Sequence, residues 1–393
     1  MAGAGNKREA DTRKHSYAAG GRNMARRSRR WVPTLLMSGL LSPAALASIM
    51  HGWRISGYIS PTYIYSQAQG VSSVIFGRGT TPFGYYSANT AAGSLYISAN
   101  KRFQDGSDLE LSFMPNVSPD APYYVARAKV PLESGWYAIV GLMPTWNSYD
   151  SWSAADLPTI TRSLTVAYTI PAYMIGAGME KVSGGVWFKA LAGNLDTPLQ
   201  SYSSDPAIEM TMGTHVSRNF SIWDYALYGK LHSINGTGAI YHDDVDASYE
   251  IGPMTLGGDL FYEDWQRGAV NGNAARDYGG EMMANYAYGQ RTILTVRYDI
   301  FNDTKNGGAY DISTYQSGFA PISPNVGPVR QEVTLAAQYR VTKQVLTKVE
   351  YRYDWANAKT FGLYKNLHDA SHNVSYGTTN HSSLVAVQMV YEF

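Results

Sequence analysis

The last eleven residues read Ser383-Leu384-Val385-Ala386-Val387-Gln388-Met389-Val390-Tyr391-Glu392-Phe393. Val385, Val387, Met389, Tyr391 and Phe393 put apolar groups on one face of an extended chain, and Gln388 and Glu392 fall on the other. Alternation over about ten residues is the mark of a β-strand that crosses a membrane, because its two faces meet lipid and lumen. A water-soluble sheet also alternates, but it hides its apolar face and has no reason to stop at an exposed phenylalanine.

The same period recurs upstream. Val345, Thr347, Val349, Tyr351, Tyr353 and Trp355 alternate with Lys348, Glu350, Arg352 and Asp354. Val333, Leu335, Ala337 and Tyr339 alternate with Glu332, Thr334, Gln338 and Arg340, and Leu294, Val296, Tyr298 and Ile300 with Thr295, Arg297 and Asp299. Trp53, Ile55, Gly57 and Ile59 begin the series. Short connections at Gln104-Asp105-Gly106, Leu132-Glu133-Ser134, Ser183-Gly184, Arg218-Asn219, Ile251-Gly252, Gly289 and Val341-Thr342 read as periplasmic turns. Long ones lie between them, at 65–92, 116–120, 144–160, 194–206, 232–238, 264–277, 302–329 and 357–380, and read as extracellular loops. Short and long alternate throughout if Thr161–Val182 is one long strand with Pro171 at a bulge. The expected fold is therefore all-β, a transmembrane antiparallel barrel of sixteen strands. Fourteen or eighteen stay open if Pro171 marks a turn instead.

The other end is a leader. Residues 25–30 read ARRSRR, a mostly apolar stretch runs from Trp31 to Leu41, and Ser42-Pro43-Ala44-Ala45-Leu46-Ala47 closes it. A basic segment, a short apolar core and an A-x-A end make a secretory signal peptide over residues 24–47, cleaved after Ala47. Met24 is the expected start, with 1–23 an extension, so the barrel occupies 48–393 and the destination is the bacterial outer membrane. Residues 1–47 hold nine of the 32 Lys+Arg and two of the 31 Asp+Glu. The remainder carries 23 basic and 29 acidic residues, a net of −6 in place of the +1 of the whole chain.

Composition removes other classes. The 393 residues include no cysteine, which excludes disulfide scaffolds and thiolate metal sites. Aromatics at 13% argue against disorder, and charged residues at 16% with no basic excess argue against nucleic-acid binding.

At this level the chain resembles bacterial outer-membrane porins of the sixteen-stranded type. Tyr391 and Phe393 resemble the terminal signal read by the barrel-assembly machinery. Gly135-Trp136-Tyr137-Ala138-Ile139-Val140-Gly141-Leu142-Met143-Pro144-Thr145-Trp146 and Val186-Trp187-Phe188-Lys189-Ala190-Leu191-Ala192-Gly193-Asn194 resemble segments of phosphate-selective-type and β-barrel porin-2-like families. The phosphate-selective members carry a dense Lys/Arg loop, whereas 144–160 has neither residue, so phosphate selectivity is not carried over. The resemblance implies a homotrimer.

It also implies that the third loop, Pro144–Ile160, folds inward as a constriction offering Trp146, Tyr149, Asp150, Trp152 and Asp156; the alternative is a cap outside the barrel. Strand parity sends Arg54, Arg102, Arg127, Lys129 and Lys189 into the lumen from early strands, and Arg297, Lys348 and Arg352 from late ones. It sends Glu209, Asp224, Asp244, Asp246, Asp259 and Glu281 inward from middle strands. Such walls set ion preference, and the net of −6 leans them weakly to cations. Asp243 would face lipid, where a charge is costly, which suggests a later strand start. Outward Trp53, Trp136, Tyr262, Tyr351, Tyr353 and Trp355 fit interfacial girdles.

His242, Asp244 and Asp246 share one strand face and could offer metal ligands, but solvated lumen charges explain them, and neither metal nor cofactor is expected. No nucleophile elbow, phosphate loop or haem motif is present, and the seven histidines after the leader form no recognisable catalytic set. The expectation is a non-enzymatic channel passing small hydrophilic solutes. The competing readings are a barrel that scaffolds or sheathes a partner protein, and an outer-membrane hydrolase.

Overall fold

A computed structural model describes residues 52–66, 92–113, 123–146, 149–151, 153–168, 173–195, 205–233, 236–268, 272–305, 328–358 and 379–393. The leader at 24–47, the extension at 1–23 and Trp152 lie outside the described residues, as do the greater parts of the long loops near the N- and C-termini.

Sixteen strands run β1 Trp53–Ser66, β2 Ala92–Arg102, β3 Asp108–Phe113, β4 Tyr123–Pro131 and β5 Trp136–Pro144. After them come β6 Tyr173–Ser183, β7 Val186–Leu195, β8 Pro206–His215, β9 Phe220–Ser233, β10 Gly236–Ile251 and β11 Met254–Trp265. The series ends with β12 Ala275–Tyr288, β13 Thr292–Lys305, β14 Val329–Arg340, β15 Val345–Ala356 and β16 His381–Glu392. Each pairs antiparallel with its neighbours in sequence, and β1 pairs β16, so the sheet closes into a barrel.

The C-terminal stretch makes that closure. Tyr391 lies opposite Ile59 and Val387 opposite Tyr63. Phe393 donates its N–H to the Gly57 carbonyl and accepts from the Gly57 N–H, both at 3.0 Å. A closed barrel leaves no unpaired edge, which lipid could not satisfy.

Period two explains the two faces. On β16 Leu384, Ala386, Gln388 and Val390 are buried, while Val385, Val387, Met389 and Tyr391 are exposed. Ile208, Met210 and Met212 do the same on β8, and Leu260 and Met282 are 71% and 74% exposed in mid-strand. A continuous belt of such residues is far larger than water tolerates on a soluble monomer. Its solvent is the hydrocarbon core. Among the described residues, no helix is long and apolar enough to cross a membrane.

All seven short turns fall where the sequence placed them. Gly106, Gly184, Gly252 and Gly289 have positive φ, as tight reversals between strands require. Two connections differ from expectation. β9 and β10 extend to Ser233 and Gly236, so the 232–238 connection is much tighter than read. Thr161–Val182 is not one strand: β6 begins at Tyr173, and residues 161–168 belong to the third loop and include a short helix, α1, Leu164–Tyr168.

Candidate functional site

The third loop lies inside the barrel against one wall. Its residues Ala154, Leu157, Thr159, Ile160, Thr161, Arg162, Ser163, Leu164 and Thr165 are buried. Loop backbone needs partners when it leaves water, and inward side chains of distant strands supply them. Lys348 on β15 donates to the carbonyls of Ala154 at 2.6 Å, Leu157 at 2.5 Å and Thr159 at 3.3 Å. Gln338 on β14 donates to Leu157 O at 3.2 Å, and Tyr58 on β1 accepts from the Ala154 N–H at 3.2 Å. Glu350 accepts from the N–H groups of Ile160 and Thr161 and from the Thr161 hydroxyl. Asp299 on β13 accepts the Leu164 N–H at 3.0 Å.

Two buried arginines complete the seat. Arg297 donates from Nε to Glu332 at 2.7 Å and from Nη1 to the Thr161 carbonyl at 2.9 Å, and lies 3.5 Å from both Asp150 and Asp299. Arg352 pairs Asp354 at 2.7 Å and Glu332 at 3.0 Å, and donates to the Arg162 carbonyl at 2.6 Å. Breaking such a pair from one side is costly, because it strands the other charge.

Beneath the first part of the loop, Tyr149 stacks on Trp223 with centroids 6.2 Å apart, and its ring takes the space a Cβ on Gly257 would need. Burial raises the Tyr149 phenol above its ordinary pKa; a hydrogen bond with Ser248 opposes this, and Glu281, Asp150 and Asp246 reinforce it. Asp150 does not face open lumen: its carboxylate is buried and accepts the Ser163 N–H at 2.7 Å. Asp156 is exposed. Trp146 is packed between Lys189, whose Nζ sits 5.3 Å from the ring centroid, and the buried cluster of Leu191, Leu195 and Tyr225.

The other expected lumen charges sort by wall. Arg54 and Arg102 share the inward parity of Tyr58 and Ser98 and are exposed near the turn end. Arg127 pairs Glu110 at 2.6 Å, both partly open, and the partly open Lys129 pairs the buried Glu180. On the opposite side Asp244, Asp246, Asp259, Glu281 and Glu209 are buried, and Tyr225 donates to Glu209 at 3.0 Å.

Asp224 overturns its assignment. It is exposed on the outer face, because Trp223, Tyr225 and Leu227 turn inward to pack on the loop and its neighbours. Apolar residues occupy both faces of β9, so alternation alone could not orient it. Asp243 is also outward, although β10 starts earlier than expected; Tyr241 donates to it at 3.1 Å and the Asp224 carboxyl lies beside it.

The residues missed from the sequence are Thr161–Val166, and Arg162 with them. Their apolar and hydroxyl residues mimic a strand. The available signal was Pro171, a proline inside the expected strand that a central strand does not accommodate.

A closed sixteen-stranded barrel with a lipid-facing belt, a charged interior and an inserted third loop defines the outer-membrane porin class. The family profile described as beta-barrel porin-2, OmpL-like, matches residues 55–393. The chain belongs to that family. Among the curated proteins, none matches the chain. Of solved structures, in-vitro folded OmpT of Vibrio cholerae aligns with TM-score 0.57 and 13% identity over 87% of this chain and 97% of that one. A complex of Salmonella typhi OmpF with daunomycin gives 0.55 and 13%, over 87% and 97%. Pseudomonas putida OprB gives 0.53 and 9%, over 89% and 96%. At such identities the likeness establishes the fold.

Proposed function

We propose that the protein is a passive channel for small hydrophilic solutes and ions, residing in the outer membrane, exported by its leader, with no catalytic step. The observation that carries the reading is the loop seated on the β13–β15 wall. It narrows the lumen from one side and leaves the β2–β7 wall, with Arg127, Lys129 and Glu110 partly open, to meet passing solute. Side chains on an open wall keep water and offer charge of both signs, which suits polar solutes.

Ion preference on this reading is weak. The net of −6 favours cations, but the acidic groups Asp244, Asp246, Asp259 and Glu281 lie under the loop, and the open wall is mixed. The trimeric form recorded for Vibrio cholerae OmpT supports a homotrimer here. Tyr391 and Phe393 are the assembly signal in this account, and deleting Phe393 should lower the yield of folded barrel in membranes.

Purified, refolded protein in a planar bilayer should give stepwise conductance, with a reversal potential near zero to slightly cation-selective under a salt gradient. Folded protein that inserts without conductance steps would reject the channel and favour the scaffold reading.

A further inference from the structure

Direct cross-strand partners run carboxylate to carboxylate around the inner wall. Asp246 faces Asp259, Asp259 faces Glu281, Glu281 faces Asp299, Asp299 faces Glu332, and Glu332 faces Asp354. Like charges placed opposite each other repel, so such a row needs cations. Arg297 and Arg352 serve the Asp299, Glu332 and Asp354 end. The other end is different. Asp246 and Glu281 are 0% and 2% exposed, and no described group donates a hydrogen bond to either oxygen of either carboxylate. A buried ionised carboxylate without a partner is strongly disfavoured, so a counter-ion or a proton is required.

The geometry selects the counter-ion. One carboxylate oxygen from each of Asp244, Asp246 and Asp259 lies within 4.8 Å of the others. Two ligands of one calcium ion, at about 2.4 Å each, can be at most about 4.8 Å apart. All the donors are hard oxygens, the set that calcium prefers and that zinc or copper does not. The neighbouring inward row, His242, Glu263, Asp277 and Asp303, differs in ending at Arg330, 3.9 Å from Asp303.

We propose that Asp244, Asp246 and Asp259 bind a calcium-sized divalent cation, with the Glu281 carboxylate, next in the row beside Asp259, adding negative charge behind the ligands. The site ties the third loop to the β10–β12 wall. Asp259 accepts the Thr165 hydroxyl at 3.3 Å and the Tyr149 N–H at 3.5 Å, so both ends of the inserted segment rest on a ligand. Binding itself does not depend on the channel reading; its effect on conductance does.

Terbium is the probe, because it replaces calcium and is excited by nearby aromatic rings. Trp223 is the direct cross-strand partner of Asp246, and Tyr149 stacks on it. Folded, chelator-treated protein free of lipopolysaccharide should show saturable terbium emission at one ion per chain, displaced by calcium. Asp246→Asn should weaken it by about tenfold or more, Glu281→Gln by less, and Asp105→Asn in an exposed turn not at all. Absence of saturable emission from the folded wild-type chain overturns the site, as does calcium failing to compete or Glu281→Gln and Asp246→Asn binding like wild type. If Asp246→Asn does not fold, the wild-type titration and Glu281→Gln decide. Bilayer conductance from the same preparation shows whether the channel reading stands when the metal site does not.

Discussion

The two inner walls of this barrel carry similar residue types and use them differently. On β10–β15 the charged side chains are buried under the third loop: Arg297, Arg352, Glu332 and Asp299 are all at 0% exposure. On β2–β7 Arg127, Glu110 and Lys129 keep contact with water. A dry charge holds position because every alternative strands it. A wet charge is replaceable in energy and is free to interact with solute. The first wall is a foundation for the loop, and the second is the surface that solute meets.

The strongest test of that contrast removes one arginine from each side. Arg297→Met should lower the unfolding free energy by about 3–5 kcal/mol, since the buried Glu332, Asp299 and Asp150 share its charge and lose it together. Arg127→Met should change it by about 0–1 kcal/mol. Urea unfolding in lipid, followed by tryptophan fluorescence, reads both, and equal losses would erase the distinction. Next in size, Lys348→Met removes a charged donor from three loop carbonyls, of which Leu157 O keeps Gln338, and should cost about 1–3 kcal/mol. It should also raise single-channel conductance and noise as the loop leaves its seat; unchanged conductance would mean the loop does not set pore width.

The open wall should respond in selectivity. The double variant Arg127→Gln, Lys129→Gln should move the reversal potential toward cations and leave the unfolding midpoint close to wild type. The smallest effect separates two loop carboxylates that look equivalent in sequence. Asp156→Asn should shift selectivity slightly away from cations, whereas Asp150→Asn should lower stability and leave selectivity in place, because Asp150 is a buried acceptor of the Ser163 N–H. A selectivity shift from Asp150→Asn would place that carboxylate in the pore after all.

The strands, the turns and the lipid belt were legible because each depends on a local rule. Period two assigns faces, and glycine or a short polar run reverses the chain. The failures have local causes too. β9 has large apolar residues on both faces, so Asp224 was sent to the wrong side. The hydroxyl-rich segment Thr161–Val166 alternates as a strand does, yet its backbone is satisfied by Glu350, Asp299 and Arg297 and not by a neighbouring strand.

By itself, the sequence pointed to a membrane barrel of about sixteen strands, with fourteen or eighteen left open at Pro171, because lipid and lumen act on each strand independently; the count and the β1–β16 closure came from the structure. Only the tertiary structure decided which charges meet water. That depends on where the third loop settles, and its partners, Glu350 with Thr161 and Lys348 with Ala154, lie some 190 residues away in the chain. No local pattern encodes a meeting at that separation. It arises once the barrel has closed and brought the β13–β15 wall within reach of the loop.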